Sequence, residues 1–200
     1  MFRSQRIVEA KMSEIPRRSF IQFAIAALPA PMLGQSPSSA PPTVPPLVSA
    51  GTDREGKQHT VGVSSTTYKV LTQDTAGALF VMEQLNHKKG GPNRHLHYSQ
   101  DELFYVMEGE YVVEIGSERF NLKAGDCVLG PRTIPHAWAF VGESRGRMLI
   151  SFAPAGKMEA FFNDREKLGL KPGAYSSTPA EAAALKPYGM EFVGPPIKMD

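Results

Sequence analysis

The sequence predicts an all-β fold, an antiparallel sandwich or small barrel, followed by short C-terminal helices. Short apolar runs of strand length recur from about residue 61, and glycine or short polar groups separate them. Strands this closely spaced, with almost no helical pattern between them, favour antiparallel pairing. The runs are TTYKVLT, ALFVMEQL, ELFYVMEG, EYVVEIG, ERFNL, DCVLG, AWAFV and RMLISFAP. An immunoglobulin-like sandwich is disfavoured because the chain lacks the Cys…Trp…Cys spacing of that fold.

The chain before the predicted barrel divides into two parts. Residues 1–34 resemble a signal for export, because Arg17 and Arg18 precede an apolar run of about eleven residues, which is too short to span a membrane. The arginine pair resembles a twin-arginine signal and predicts a periplasmic or extracellular protein without a membrane span in its mature form. An uncleaved amphipathic tail is the alternative, and translation could also begin at Met12. Residues 35–58 have the composition of a Pro/Ser-rich linker.

The charge balance and the cysteine count exclude two classes of function. Residues 1–34 carry five basic and two acidic side chains, a net of +3, so the formal net charge of +2 becomes −1 for the rest of the chain. A near-neutral domain has no electrostatic footprint for nucleic acid. The single cysteine, Cys127, excludes an internal disulfide, and its apolar run CVLG predicts a position in the core.

The barrel is predicted over residues 59–156, with a C-terminal helical extension over 157–200 that packs on it. The segment KMEAFFNDREKLGL places its apolar residues on one helical stripe. The segment TPAEAAALKPYG offers Thr178 as a helix cap and a proline in the first turn. The tail EFVGPPI predicts one further extended piece.

Two histidines stand one residue apart in the stretch RHLHYSQDE. Successive side chains of a strand alternate between its faces, so His95 and His97 share one face. Glu102 follows after YSQD, which can form a turn into the next strand, and His136 begins the run AWAFV. Three imidazoles and one carboxylate that converge on a point suit a divalent transition metal.

The spacing of these residues resembles the two motifs of the cupin superfamily. The pattern H-x-H-x4-E-x6-G runs from His95 to Gly109, and the pattern G-x5-P-x4-H runs from Gly125 to His136. Between Gly109 and Gly125 lie fifteen residues, close to the short intermotif segment of bacterial single-barrel cupins. The layout is similar to that of the single-domain, quercetin-dioxygenase-like cupins. The resemblance implies a double-stranded β-helix, also called a jelly-roll barrel.

The resemblance also implies a metal site. In cupins the two motifs lie on facing strand pairs, and the positions that match His95, His97, Glu102 and His136 hold one metal inside the barrel. Iron, manganese, nickel, cobalt and zinc all suit these ligands. Cupin barrels commonly pair through exposed strands, so a homodimer is expected by resemblance.

The second motif departs from the family pattern at two positions. Thr133 stands where the pattern has glycine, and Phe140 stands where it ends in asparagine. Neither departure removes a ligand. The change at Thr133 affects the geometry of the turn before His136. The change at Phe140 makes the barrel interior more apolar than the family pattern does.

Three imidazoles and one carboxylate leave open positions on a six-coordinate metal, which is typical of a catalytic site. The resemblance implies a dioxygenase-type oxidoreductase acting on a small organic substrate, with Glu102 as the general base on a substrate hydroxyl. Phe104, Trp138 and Phe140 are candidates for the lining of an apolar substrate pocket. Their alternative role is in the barrel core.

Two other functions stay open from the sequence. One is a metal-dependent isomerase, lyase or decarboxylase, and the other is a non-enzymatic barrel that binds a small molecule. A decarboxylase of a small dicarboxylate needs a basic residue inside the barrel, whereas Arg94 is predicted to point outward and Arg132 to lie in a turn. A binding barrel does not require all four ligands, and this chain has them.

Overall fold

The described part of the molecule begins within the predicted linker. The computed structural model describes residues 44–57, 59–61, 64–165, 167–169 and 178–199. The predicted export signal and the first part of the linker lie outside the described residues. Among the helices of the described ranges, none is long and apolar enough to cross a membrane.

The described residues form eleven strands and two α-helices, most of them joined by short turns. In chain order these are β1 (His59–Val61), β2 (Ser64–Val70), β3 (Phe80–Asn86), β4 (Arg94–His97), β5 (Asp101–Glu108), β6 (Glu110–Ile115), β7 (Glu118–Lys123), β8 (Cys127–Gly130), β9 (His136–Phe140), β10 (Gly146–Ala153), α1 (Met158–Asp164), α2 (Pro179–Leu185) and β11 (Met190–Gly194). Single turns of 3₁₀ helix lie at Thr72–Thr75 and Lys186–Tyr188.

The strands pair in two antiparallel sheets. The first sheet has the order β1-β2-β3-β10-β5-β8, and the second has the order β11-β4-β9-β6-β7. From β3 to β10 the chain passes from one sheet to the other at every connection except the β6–β7 hairpin, whose two strands pair within the second sheet. This alternation is the topology of a jelly roll. The predicted all-β jelly-roll fold with short C-terminal helices is confirmed.

The core consists of the inward-facing residues of both sheets. In β10, Met148, Ile150 and Phe152 are buried, while the intervening residues, such as Arg147 and Leu149, are only partly so. Strand β4 alternates in the same way, whereas all five residues of β9 are buried. Aromatic side chains make up much of the interior. Because one face of each sheet is buried, the two-residue period of a strand determines which residues reach the interior.

Phe140 fits into the barrel because glycine faces it. Its ring lies 5.4 Å from the ring of Tyr111, and both rings are fully buried. A Cβ atom on Gly146 would lie 2.5 Å from Phe140 Cδ2 and 2.5 Å from the Tyr111 hydroxyl oxygen. The bulk of Phe140 is therefore accommodated by the missing side chain at Gly146.

The C-terminal segment contributes both helices and a strand. Met158 and Phe161 of α1 and Leu185 of α2 are buried against the barrel core. As predicted, α2 begins at the Thr178 cap, whose hydroxyl accepts a hydrogen bond from the backbone N–H of Glu181. The predicted extended tail is β11, and it pairs with β4 as the edge strand of the second sheet. The extension therefore also completes a sheet of the barrel.

The predicted core position of Cys127 is wrong. Cys127 is exposed because β8 is an edge strand whose inward-facing residues are Val128 and Gly130. Leu129, on the same outer face as Cys127, is 49% exposed. A short apolar run without strict alternation does not indicate which of its residues face the core. Tyr105 and Met107 of β5 also lie exposed on this face, and pairing of two copies stays a prediction.

A buried carboxylate ties three strands together on the outer side of the first sheet. Glu83 of β3 is only 8% exposed. Lys69 Nζ of β2 lies 3.2 Å from its Oε2 atom, and Arg147 Nη2 of β10 lies 2.7 Å from its Oε1 atom. Burial alone would raise the pKa of Glu83, but the hydrogen bonds from Arg147 and Lys69 outweigh it and lower the pKa below its ordinary value.

We expect Glu83→Gln to destabilise the barrel by about 1–2 kcal/mol at neutral pH, because both cations lose a charged partner. A lowered folded pKa stabilises the fold above the unfolded pKa, and this stabilisation is lost as the pH falls through the folded pKa. The difference in unfolding free energy between wild type and variant should therefore be constant above pH 5 and shrink below about pH 4.5. Urea unfolding between pH 3 and 8 measures it.

Glu108→Gln is the matched control, since it removes a carboxylate from a more exposed ion pair with Arg145. It should cost less than about 1 kcal/mol. Equal losses in the two variants would contradict the role assigned to Glu83.

Candidate metal centre

Strand β4 places two imidazoles inside the barrel. Its residues alternate in burial, with His95 and His97 buried and Arg94 and Leu96 partly exposed. This is the arrangement that strand parity predicts. Arg94 lies on the opposite face, where Nη1 donates a hydrogen bond of 3.0 Å to Glu114 Oε2.

Glu102 and His136 reach the same point from two other strands. The chain bends at residues 98–100, leaves the second sheet and enters β5 of the first sheet, so Glu102 faces the histidines from across the barrel. His136 is the first residue of β9 and the direct cross-strand partner of His95. The four residues His95, His97, Glu102 and His136, called here the four-residue cluster, are all buried.

The distances within the four-residue cluster match a single metal ion. One ligand atom of each residue lies within 4.8 Å of every other. Glu102 Oε2 lies 3.0 Å from His97 Nε2, 2.9 Å from His136 Nε2 and 3.6 Å from His95 Nε2. Two ligand atoms at adjacent corners of an octahedron with bonds of roughly 2.1 Å lie about 3.0 Å apart.

The tautomers of two histidines leave their Nε2 atoms as bare acceptors. His95 Nδ1 lies 2.8 Å from the backbone oxygen of Asn93, and His136 Nδ1 lies 2.9 Å from that of Ile134. A carbonyl oxygen only accepts, so Nδ1 carries the proton in both rings. In a neutral ring, Nε2 then presents a lone pair to the lone pairs of Glu102. Such a contact requires a cation between the two atoms.

Protons alone do not supply a cation at every contact of Glu102. Burial lowers the pKa of His95 to about 4, so this ring is neutral at pH 7. Burial opposes ionisation of Glu102 as well, but its contacts with the imidazoles outweigh burial and hold its pKa well below the ordinary value. Burial also opposes protonation of His136, whereas contact with Glu102 raises its pKa. One divalent ion satisfies all four groups at once, so the four-residue cluster fits a metal.

The sequence comparisons match the segment that contains this site. Residues 81–152 match the family described as "Cupin domain". The matched segment runs from β3 to β10 and contains all four residues of the cluster.

Two curated proteins resemble parts of the chain. Uncharacterized protein MJ1618 of Methanocaldococcus jannaschii is 33% identical over 60 residues, which are 30% of this chain and 48% of that protein. Polyketide synthase CurC of Streptomyces cyaneus is 30% identical over 87 residues, which are 42% of this chain and 56% of that protein. The chain thus spans about half the length of the curated relatives it matches. Among solved structures, KdgF from Halomonas sp. is 22% identical, with 50% of this chain and 89% of that chain covered and a TM-score of 0.45.

The turn before His136 holds three segments of the candidate site together. The N–H of Thr133 donates a hydrogen bond of 2.7 Å to the backbone oxygen of His97, and the backbone oxygen of Ile134 accepts from His136 Nδ1. Arg132 Nη2 lies 2.7 Å from Asp101 Oδ2, next to Glu102 in the chain. Each of these bonds orients a segment that carries a candidate ligand.

Thr133 adopts this turn in a strained conformation. Its φ is 65°, in the left-handed region that glycine adopts freely and β-branched residues avoid. This is the position at which the family pattern has glycine. The departure seen in the sequence therefore leaves the turn in place and strains the backbone beside the candidate metal ligands.

The three predicted pocket aromatics lie at different depths. The ring of Phe104 lies 5.9 Å from that of His136, beside the four-residue cluster. Trp138 and Phe140 are further along β9, where both rings contact Tyr111 in the barrel core. Their part in a substrate pocket stays a prediction.

Sequence reasoning missed three residues near the site. The ring of Phe152, at the end of β10, lies 5.5 Å from that of His97. Phe152 lies two residues after Ile150 in the run RMLISFAP, so the two-residue period of a strand could have placed it on the same inner face. Met190 and Phe192 of β11 stand directly opposite His97 and His95. No local signal in the sequence indicates which strand β11 joins.

We expect wild-type protein to bind about one equivalent of a divalent transition metal, and His97→Ala to bind below roughly a tenth of an equivalent while still unfolding cooperatively. The barrel core does not depend on the imidazole, so the fold should persist. Elemental analysis and thermal unfolding measure the two properties. His87→Ala, at an exposed loop position, is the control and should bind like wild type. Loss of folding in His97→Ala would mean that the metal is structural.

We expect Thr133→Gly to stabilise the metal-free protein by about 1 kcal/mol, because relief of the strained φ outweighs the added freedom of the unfolded chain. Urea unfolding in a chelator measures the change. Thr67→Gly, in the extended strand β2, should destabilise the protein and serves as the control. A less stable Thr133→Gly variant would show that side-chain contacts of Thr133 exceed its backbone strain.

Proposed function

We propose that this chain is a metal-dependent oxygenase of the dioxygenase type, in which His95, His97, Glu102 and His136 hold the metal. One observation carries the proposal: three Nε2 atoms and a carboxylate oxygen converge on one point inside a barrel whose surrounding side chains are apolar. The substrate class we propose is a small organic molecule with a hydroxyl or enol group attached to an apolar ring or chain. The metal is iron, manganese, nickel, cobalt or zinc.

When bound, the metal would supply Lewis-acid polarisation of a substrate oxygen and, if redox-active, electron transfer to dioxygen. The residues of the chain then have separate tasks. His95 and His136 are held in one tautomer by backbone carbonyl groups, which keeps both Nε2 atoms directed at the site. Glu102 is ionised, so its carboxylate can accept the proton of a substrate hydroxyl group. Phe104 and Phe152 exclude water from the imidazole side of the site.

The partners of Arg94 and Arg132 favour this proposal over decarboxylation of a small dicarboxylate. Arg132 makes a bidentate contact with Asp101 through Nε and Nη2. Arg94 points away from the site, towards Glu114 and the backbone oxygen of Gly116. Both guanidinium groups are thus engaged elsewhere. A substrate with two carboxylates would need a basic side chain beside the metal to bind its second carboxylate. This supports an oxygenase with a less charged substrate.

We expect the metal-loaded protein to consume oxygen with at least one compound of a panel of flavonols, catechols, thiols and diketones. Glu102→Gln should lower kcat by about 100-fold or more, because an amide cannot accept the proton. The variant should still bind metal, although more weakly. An oxygen electrode and elemental analysis provide the two measurements.

Glu110→Gln is the control, since it removes the charge of an exposed carboxylate and should leave oxygen uptake unchanged. Stoichiometric metal without oxygen uptake for any compound would contradict the oxygenase and favour a metal-dependent isomerase or decarboxylase. Equal kcat values for Glu102→Gln and wild type would contradict the role of Glu102 as a base.

A further inference from the structure

The C-terminal strand β11 places two apolar side chains beside the candidate ligands. In the pairing of β11 with β4, Met190 is the partner of His97 and Phe192 is the partner of His95. Cross-strand partners project to the same side of a sheet, with Cβ atoms roughly 4.5–5.5 Å apart. Both apolar side chains therefore point into the space that the imidazoles occupy. Residues 81–152, which match the Cupin domain family, do not include β11.

The exposure of the four-residue cluster indicates from which side a substrate approaches. The side chains of His97 and His136 are 0% exposed, and that of Glu102 is 4% exposed. His95 has the largest exposed fraction, 7%. His95 is therefore the member of the four-residue cluster whose side chain reaches solvent most, and its neighbour in β11 is Phe192.

Of the two side chains from β11, Phe192 is the one that a substrate can contact. Met190 is 3% exposed and belongs to the buried core. Phe192 is only partly buried, and its inner side packs against the same core. One part of the ring is thus supported by the protein core, and another part is exposed to solvent.

Backbone hydrogen bonds on both sides of the pairing hold Phe192 in this position. The N–H of Tyr98 donates to the backbone oxygen of Gly189 over 2.9 Å, just before β11. The N–H of Arg94 donates to the backbone oxygen of Pro195 over 3.3 Å, just after it. The register between β11 and β4 shifts between Phe192 and Gly194, and the two hydrogen bonds hold the strand on both sides of this irregularity.

We propose that Phe192 is a specificity-determining residue that contacts the apolar part of a substrate whose oxygen atom binds at the metal. The ligand class is an aromatic ring with a hydroxyl group next to the metal-binding position, since a partly exposed phenyl ring favours an aromatic partner. The proposal rests on the proposed function, because it assumes a metal at the four-residue cluster. It goes further by assigning substrate recognition to a strand outside the matched family segment.

The experiment uses full-length, metal-loaded protein and two probes that coordinate the metal. The first probe is 4-nitrocatechol, whose visible absorption changes on coordination, and the second is azide, which has no apolar part. Phe192→Ala should weaken 4-nitrocatechol binding by about tenfold and leave azide binding within about twofold of wild type. Val193→Ala is the matched control, because the neighbouring side chain faces the opposite side and is 37% exposed. It should leave both affinities unchanged.

Phe192→Leu keeps most of the apolar volume and covers the case in which the alanine variant does not fold. It should retain the metal and azide binding and lose a smaller part of the 4-nitrocatechol affinity. If Phe192 had only a structural role, its substitution would lower the melting temperature and weaken the binding of both probes in parallel. That result would overturn the proposal. Equal 4-nitrocatechol affinities in Phe192→Ala and Val193→Ala would overturn it as well.

Failure of the proposed function has a different signature. Wild-type protein would then bind azide at the metal without binding 4-nitrocatechol, or would bind no metal. Either result would overturn the aromatic substrate class before any variant is compared. If wild type binds both probes and Phe192→Ala binds 4-nitrocatechol with the same affinity, only the role of Phe192 is overturned.

Discussion

The buried contact between the Glu102 carboxylate and three imidazole Nε2 atoms is the constraint on which the site depends. Glu102 belongs to the first sheet, and the three histidines belong to the second. An ionised carboxylate that faces bare nitrogen lone pairs is unfavourable in a low-dielectric interior without a compensating cation. The interior around the four-residue cluster thus carries the chemistry of a metal site, and it requires both sheets to keep their spacing.

The surrounding structure keeps that spacing through short links between the sheets and the site. The turn at residues 131–135 bonds to the backbone of His97, to the ring of His136 and to Asp101, next to Glu102. The strained φ of Thr133 lies within this turn, and the surrounding hydrogen bonds hold it there. Strand β11 completes the second sheet beside His95 and His97. Rigidity at the candidate ligands therefore comes from segments on both sides of them in sequence.

Much of the site could be predicted from local sequence because strand geometry is periodic. The spacing of His95 and His97 defines a common face wherever the segment is a strand. The motif spacing added Glu102 and His136, and the fold indeed brings all four side chains together. The replacement of glycine by Thr133 in the motif also indicated a structural feature, since Thr133 has a positive φ in the turn before His136. The core position assigned to Cys127 was wrong because CVLG has no alternation that separates the two faces of an edge strand.

The sequence by itself determined the strand pattern, the jelly-roll fold and the residues that form the four-residue cluster. Two-residue periodicity predicts the strands and an antiparallel sandwich or small barrel, and the resemblance of the motif spacings to those of cupins implies the jelly roll and the four ligands. Periodicity and motif spacing are local properties of a chain. Only the tertiary structure decided that Phe152, Met190 and Phe192 stand beside the histidines and that Trp138 and Phe140 pack around Tyr111. The pairing of β11 with β4 joins segments almost a hundred residues apart, and it results from burial of apolar surface on a shared sheet rather than from any local signal.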